Sequence, residues 1–268
     1  MRKDIDDISF INDIPSKRLL RRMGLIKDQE GIFQRYRYES ENWEIHLNNT
    51  KQFITECLET SGATKVSILG SGWLFDIPVE FLEKRFNKVT FYDVRHPYWV
   101  RKKYAGVSNF HFIATDLTGG LLETVLNLCS RSKRKEINNI LDELNIPDFK
   151  LPETDSYIIS VNLLNQLDIL ILDYIQRFCK IEKDLEQKLR SSIQKAHLKV
   201  FKPDLSCLIT DYEEIHIDDE GEIIDKIPLM FCALPSGKYR KTWTWNFDTH
   251  KSYNPKYNTL MNVVAIKF

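Results

Sequence analysis

Apolar positions change their rhythm once along this chain. Up to about residue 62 they recur at helical spacing. Trp43, Leu47, Ile54 and Leu58 mark one face of a segment running from Asn42 to Thr60, and Gly62 supplies a stop. From residue 65 onward short apolar runs alternate with longer amphipathic stretches. Runs at 66–69, 88–92, Phe110–Ala114, Tyr157–Leu163 and Ser206–Thr210 read as strands. Asp168–Cys179 reads as an apolar helix. Glu182–Val200 reads as an amphipathic one, with Leu185, Leu189 and Ile193 on its inward face. Strands alternating with helices predict a mostly parallel sheet covered on both faces.

The rhythm breaks after Asp211. Turn signals at 219–221 and 235–237 separate strand-like runs, and Lys241–Phe247 alternates aromatic and polar residues. Asn262–Phe268 closes the chain as an apolar strand. Late strands with no helix between them predict antiparallel pairing at a sheet edge. Arg131–Thr154 opens with RSKRKE, holds two prolines and reads as an irregular insertion between the third and fourth strands. No internal repeat is visible.

The stretch Lys65–Asp93 carries the most chemistry. An apolar strand ends in Gly70-Ser71-Gly72, a helical pattern follows, and a second strand ends in Asp93, 23 residues beyond Gly70. Open α/β sheets hold nucleotide-like cofactors with such a unit. Glycines let backbone approach the ligand, and a carboxylate at the second strand's tip accepts hydrogen bonds from a ribose diol.

Composition narrows the class. The 268 residues suffice for one large domain or a domain with a cap. Lys plus Arg equals Asp plus Glu, 38 each, which argues against a dedicated nucleic-acid binder. The five cysteines are dispersed without a CxxC pair, so they read as reduced core thiols rather than a disulfide framework or zinc site. The N-terminus carries acids where a signal peptide needs an apolar core, and no apolar run approaches a membrane span. A soluble, cytoplasmic protein with no metal is expected, and a homo-oligomer is left open.

In these residues the chain resembles the class I S-adenosylmethionine-dependent methyltransferases, over roughly residues 42–268. ILGSGW stands where that family's glycine loop follows its first strand. FYD places Asp93 at the ribose-holding position, and ATDLT places Asp116 and Leu117 where adenine is commonly contacted. SVNLLNQL sets Asn162 to Gln166 at the exit of strand four, beside the transferred methyl group, and the antiparallel final strands match the family's reversed last strand. Two departures stand out. Ile68 occupies the position of the usual acidic residue, and Leu74 that of the third glycine.

The resemblance implies an N-terminal helical cap at 1–62 and a Rossmann-like, doubly wound α/β domain at 63–268, with an antiparallel C-terminal edge and an insertion at 121–154. It implies S-adenosylmethionine held by Gly70, Ser71, Gly72, Trp73, Asp93, Val94, Asp116, Leu117 and Asn162. A small-molecule or natural-product acceptor would be positioned by Asn162 and Gln166 and bound by Asn165, Gln166, Tyr212 and Glu213, and Glu214 beside them would, with Tyr212 and Glu213, favour a cationic or amine substrate. Methyl transfer from a sulfonium is an in-line displacement helped chiefly by positioning, so no Ser-His-Asp set is required.

Plainer readings apply elsewhere. His96 reads as a solvent-facing loop histidine, His197 as a packed or capping one, and the Trp243–Trp245–Phe247 stripe as core or interface packing. Competing functions are an inactive binding or scaffold protein, a nicotinamide-dependent oxidoreductase and an aminopropyl-type transferase. Phe75 in place of the third glycine of G-x-G-x-x-G argues against the nicotinamide reading, and amides rather than carboxylates near strand four argue against aminopropyl transfer.

Overall fold

The computed structural model describes residues 15–153 and 155–268. The first fourteen residues of the expected cap therefore lie outside the described residues.

Two helices lead the chain, α1 (Lys17–Arg22) and α2 (Leu25–Glu59). Strand β1 (Lys65–Leu69), helix α3 (Val79–Arg85), strand β2 (Lys88–Asp93), helix α4 (Tyr98–Lys103) and strand β3 (Phe110–Ala114) form the first half of the sheet with its crossovers. Helices α5 (Leu121–Arg131) and α6 (Arg134–Asp142) connect to β4 (Tyr157–Val161). Helices α7 (Gln166–Gln176) and α8 (Lys183–Leu198) connect onward to β5 (Ser206–Ile217). Strands β6 (Ile223–Pro228), β7 (Tyr239–Asp248) and β8 (Asn258–Lys267) finish the chain.

The strand order is β3-β2-β1-β4-β5-β8-β7, with β6 hydrogen-bonded to the outer half of β5. The five strands β1 to β5 are mutually parallel, while β8 runs antiparallel between β5 and β7. The expected Rossmann-like, doubly wound sheet with an antiparallel C-terminal edge is the architecture observed. Strand order reverses between β1 and β4, and open α/β sheets form their ligand crevice outside the carboxyl ends of such a pair.

Period-two alternation explains why both faces are dry. Val66 and Ile68 of β1 join one core with Ile159 and Val161 of β4, while Leu69 and Ile158 join the other. The first core holds α2 and α3, and the second holds α1, α5, α6, α7 and α8.

Several elements outrun their sequence signal. Helix α2 extends far N-terminal of Asn42, and its later half sits in the same core as the sheet through Trp43, Phe53, Ile54 and Leu58. Within the stretch 131–154 expected to be irregular, α6 forms and buries Ile137 and Leu141, while 145–153 carry no helix or strand. Strand β5 does not stop at Thr210 but continues to Ile217, with a bulge at Tyr212.

Candidate functional site

A cavity of about 660 Å³ opens at the carboxyl ends of β1, β2, β4 and β5. Its floor begins where β1 must end. A Cβ on Gly70 would lie 2.8 Å from Leu163 Cβ and 2.9 Å from the Val161 carbonyl oxygen, so only glycine fits against the exit of β4. Gly72 differs, because a Cβ there would meet nothing within 4 Å. Its backbone, at φ 47°, lines the cavity. Leu74, in the third position of the turn, keeps the left-handed φ of 62° despite its side chain, at a backbone cost of about 1–2 kcal/mol. Burial of that leucine offsets the strain.

The turn is tied to β2. Gly72 N–H donates to Asp93 Oδ2 at 2.8 Å, and Arg95 N–H reaches Oδ1 at 3.3 Å. Burial pushes the Asp93 carboxyl above its usual range, while His96 and these backbone donors pull it back. His96 is not solvent-facing as expected. It is buried beneath the turn, bonded to the Ile113 carbonyl at 3.0 Å and near Ser71 Oγ at 3.4 Å. Asp93 nearby and the Phe112 ring at 5.2 Å hold it inside.

Helix α2 roofs this half of the cavity. Gln29 donates to the Arg95 carbonyl at 2.8 Å, and Trp73 Nε1 donates to the Gln29 carbonyl at 2.7 Å. Phe33 lies on Trp73 at 4.5 Å and Tyr36 stacks on Phe75 at 4.0 Å. Aromatic contacts thus attach the roof to the turn.

Asp116 lines the cavity, yet its carboxylate is already engaged. Oδ1 accepts from Thr118 N and Oγ1 at 2.8 and 2.5 Å, and Oδ2 accepts from Leu122 N at 3.2 Å. It anchors the start of α5. Leu117 beside it is buried against the same space, as is Val94 in part.

At the exit of β4, Asn162 takes the left-handed φ of 47°, which asparagine tolerates better than most residues. Its side chain makes no cap to the following helix. Nδ2 instead lies 2.9 Å from Asp76 Oδ2 and 3.2 Å from His46 Nε2. His46 comes from α2, 116 residues away, stacks on Trp245 at 3.9 Å and accepts from Trp243 Nε1 through Nδ1 at 3.1 Å. Burial drives its pKa down to about 3, so the ring is neutral and carries its proton on Nε2. That proton faces the Asn162 amide. With Asp76 ionised, Asn162 donates to it and His46 lacks a partner there; with Asp76 protonated, the amide turned over accepts from both. Burial pushes Asp76 up to about 6, so both arrangements lie within reach of neutral pH.

Strand β5 completes the wall, with Glu214 as expected and Asp211 in place of Tyr212 and Glu213. Tyr212 and Glu213 do not line the cavity, whereas Asp211 and Glu214 do. The bulge at Tyr212 shifts the alternation by one residue. Glu213 turns away and accepts from Asn262 at 2.8 Å. Glu214, Met261 and Trp245 instead form a cross-strand row facing the cavity. Asn165 and Gln166 line it from the start of α7, and Asn165 Nδ2 approaches Asp211 Oδ2 at 3.4 Å.

Trp245 and Phe247 are buried, and Trp43 meets both. The stripe on β7 is core, as expected, and it also supplies one wall. His197 is packed against Ser160 Oγ at 2.9 Å, as expected.

Sequence reasoning missed His46, Asp76, Asp211 and Arg35. His46 had a signal, since it shares the buried face of Trp43 and Leu47 at helical spacing. Asp76, Asp211 and Arg35 join the cavity through loop geometry, a bulge and the unanticipated start of α2.

No protein-family model and no curated protein matches this sequence. Among solved structures, the chain is similar to one described as a DhpI-SAM-HEP complex, at 10% sequence identity and a TM-score of 0.33, over 93% of this chain and 99% of that one. So loose a superposition carries no argument about function. Among the described residues no helix is long and apolar enough to cross a membrane, and no group of His, Cys, Asp and Glu has metal-holding geometry.

Proposed function

We propose that this protein is an S-adenosylmethionine-dependent methyltransferase acting on a small-molecule acceptor. The observation that carries this reading is the joined unit at the switch point. Gly72 is an open cradle in the cavity wall, its N–H is bonded to Asp93, and both lie beside the reversal between β1 and β4. The residues fit the cofactor: a bare glycine admits a close ligand, and the Asp93 carboxylate retains lone pairs for a diol.

In this reading Gly70, Ser71, Gly72 and Trp73 cradle the amino-acid and ribose part, and Asp93 holds the ribose. Val94 and Leu117 flank the base. Asp116 contributes by fixing the 116–122 loop rather than by offering a free carboxylate. The cofactor supplies an activated methyl group on a sulfonium. The chain's contribution is to orient an acceptor through Asn162, Asn165 and Gln166 and to exclude water beneath α2. A volume of about 660 Å³ lies within the range of small-molecule sites and leaves room beside the cofactor.

Thermal unfolding with added ligand tests the reading. S-adenosylhomocysteine is expected to raise the midpoint and NADH to leave it unchanged. A rise with NADH alone would move the protein to hydride chemistry.

A further inference from the structure

The acceptor end of the cavity has a chemical sign. Asp211 is only 5% exposed, and its Oδ1 has no hydrogen-bond partner. Asn165, 4% exposed, leaves its Oδ1 without one, and so does Asn162 while its amide donates to Asp76. All three sit where the pairing of β4 with β5 ends, and they line the same space. Buried acceptors left open are costly, and a ligand that brings N–H groups removes that cost. Asp76 and Glu214 border the same region, Glu214 bonded to His216 at 2.7 Å, so carboxyl groups gather there. Trp245 and Phe247 add aromatic faces, which also favour a cation.

Arg35, which also lines the cavity, is held by partners of its own. Arg35 lies over Phe247 at 4.6 Å and Tyr253 at 5.0 Å, and Asp248 and Glu39 act on its charge. Among the cavity-lining residues, Arg35 Nε and Trp245 Nε1 are unpartnered donors, but they belong to α2 and β7 rather than to β4 and β5.

We infer that the acceptor is an amine, its nitrogen seated between Asp211, Asn165 and Asn162. This deepens the methyltransferase reading and rests on it. An ammonium group donates to these unpartnered oxygens once the side chains turn toward it. One N–H bond then breaks and its proton passes to a carboxylate, freeing the lone pair. The nitrogen forms its bond to the methyl carbon as the carbon–sulfur bond of the donor breaks, and the sulfur keeps that electron pair as a neutral thioether.

Calorimetric titration of the full chain, with and without saturating S-adenosylhomocysteine, tests this with phenethylamine, 2-phenylethanol and phenylacetate as probes. The amine is expected to bind at least about tenfold tighter than the alcohol, with phenylacetate weakest. Asp211→Asn and Glu214→Gln, each checked for folding by circular dichroism, are expected to shrink that preference. Equal binding of amine and alcohol, no amine binding, or preference for phenylacetate would overturn the proposal, the last in favour of an anion site at Arg35. Should S-adenosylhomocysteine fail to bind while the amine preference persists, the cofactor reading falls and the amine site stands.

Discussion

The backbone N–H of Gly72 donates to the carboxylate of Asp93 across 2.8 Å, joining the turn after β1 to the tip of β2. One side chain therefore both shapes the turn and faces the cavity. Asp93→Ala is expected to weaken S-adenosylhomocysteine binding about tenfold to a hundredfold, because hydrogen bonds to a charged acceptor are lost. Isothermal calorimetry reads this directly. Unchanged affinity would remove Asp93 from the site.

The two glycines of the turn are expected to fail differently. Gly70→Ala drives a Cβ into Leu163 and the Val161 carbonyl at positive φ, and should cost about 2–5 kcal/mol of stability. Gly72→Val meets open space, so its stability cost is confined to backbone strain of about 1–2 kcal/mol. It should instead block the cofactor. Denaturant unfolding and ligand titration on both variants separate the two roles, and an undisturbed ligand affinity in Gly72→Val would refute the assignment.

Asp211 gives the site a pH signature. Burial raises its pKa to about 7, the Asn165 hydrogen bond opposes the rise, and Glu214 and Asp76 reinforce it. A raised carboxyl pKa means the folded state holds a proton that the unfolded chain has released. Its contribution is therefore favourable at low pH and is lost as pH rises from about 4 to about 7. Asp211→Asn, neutral throughout, should be more stable than the parent at pH 8, on the order of 2–4 kcal/mol. The gap should close toward pH 5. Parallel unfolding curves at both pH values would contradict the buried-acid account.

Trp245 is 7% exposed and packs on His46 at 3.9 Å and Trp43 at 4.8 Å. Trp245→Ala should lower stability by about 3–5 kcal/mol, as removal of a large core ring does. A stable variant that loses ligand binding would instead make the ring chiefly a pocket wall.

Much of this was legible in the sequence because local signals carried it. The strand–glycine–helix–carboxylate order from Lys65 to Asp93 needs no distant residue to be recognised, and the antiparallel tail announces itself by strands without helices between them. The acceptor wall was legible only in part. Whether Asp211 and Glu214 or Tyr212 and Glu213 face the cavity depends on one bulged residue, and period-two reasoning cannot register a bulge. His46 and Asp76 meet Asn162 only through tertiary packing, across 116 and 86 positions. Asp116 shows the reverse case. Its position was legible, but its carboxylate is engaged with Thr118 and Leu122, a local motif that the strand pattern concealed.

The most direct test of the central claim is calorimetric titration of the purified protein with S-adenosylhomocysteine. Saturable binding at one ligand per chain, lost in Gly72→Val, is the expected result. An absence of binding, with the protein folded and the turn intact, would contradict the assignment of this cavity to that cofactor.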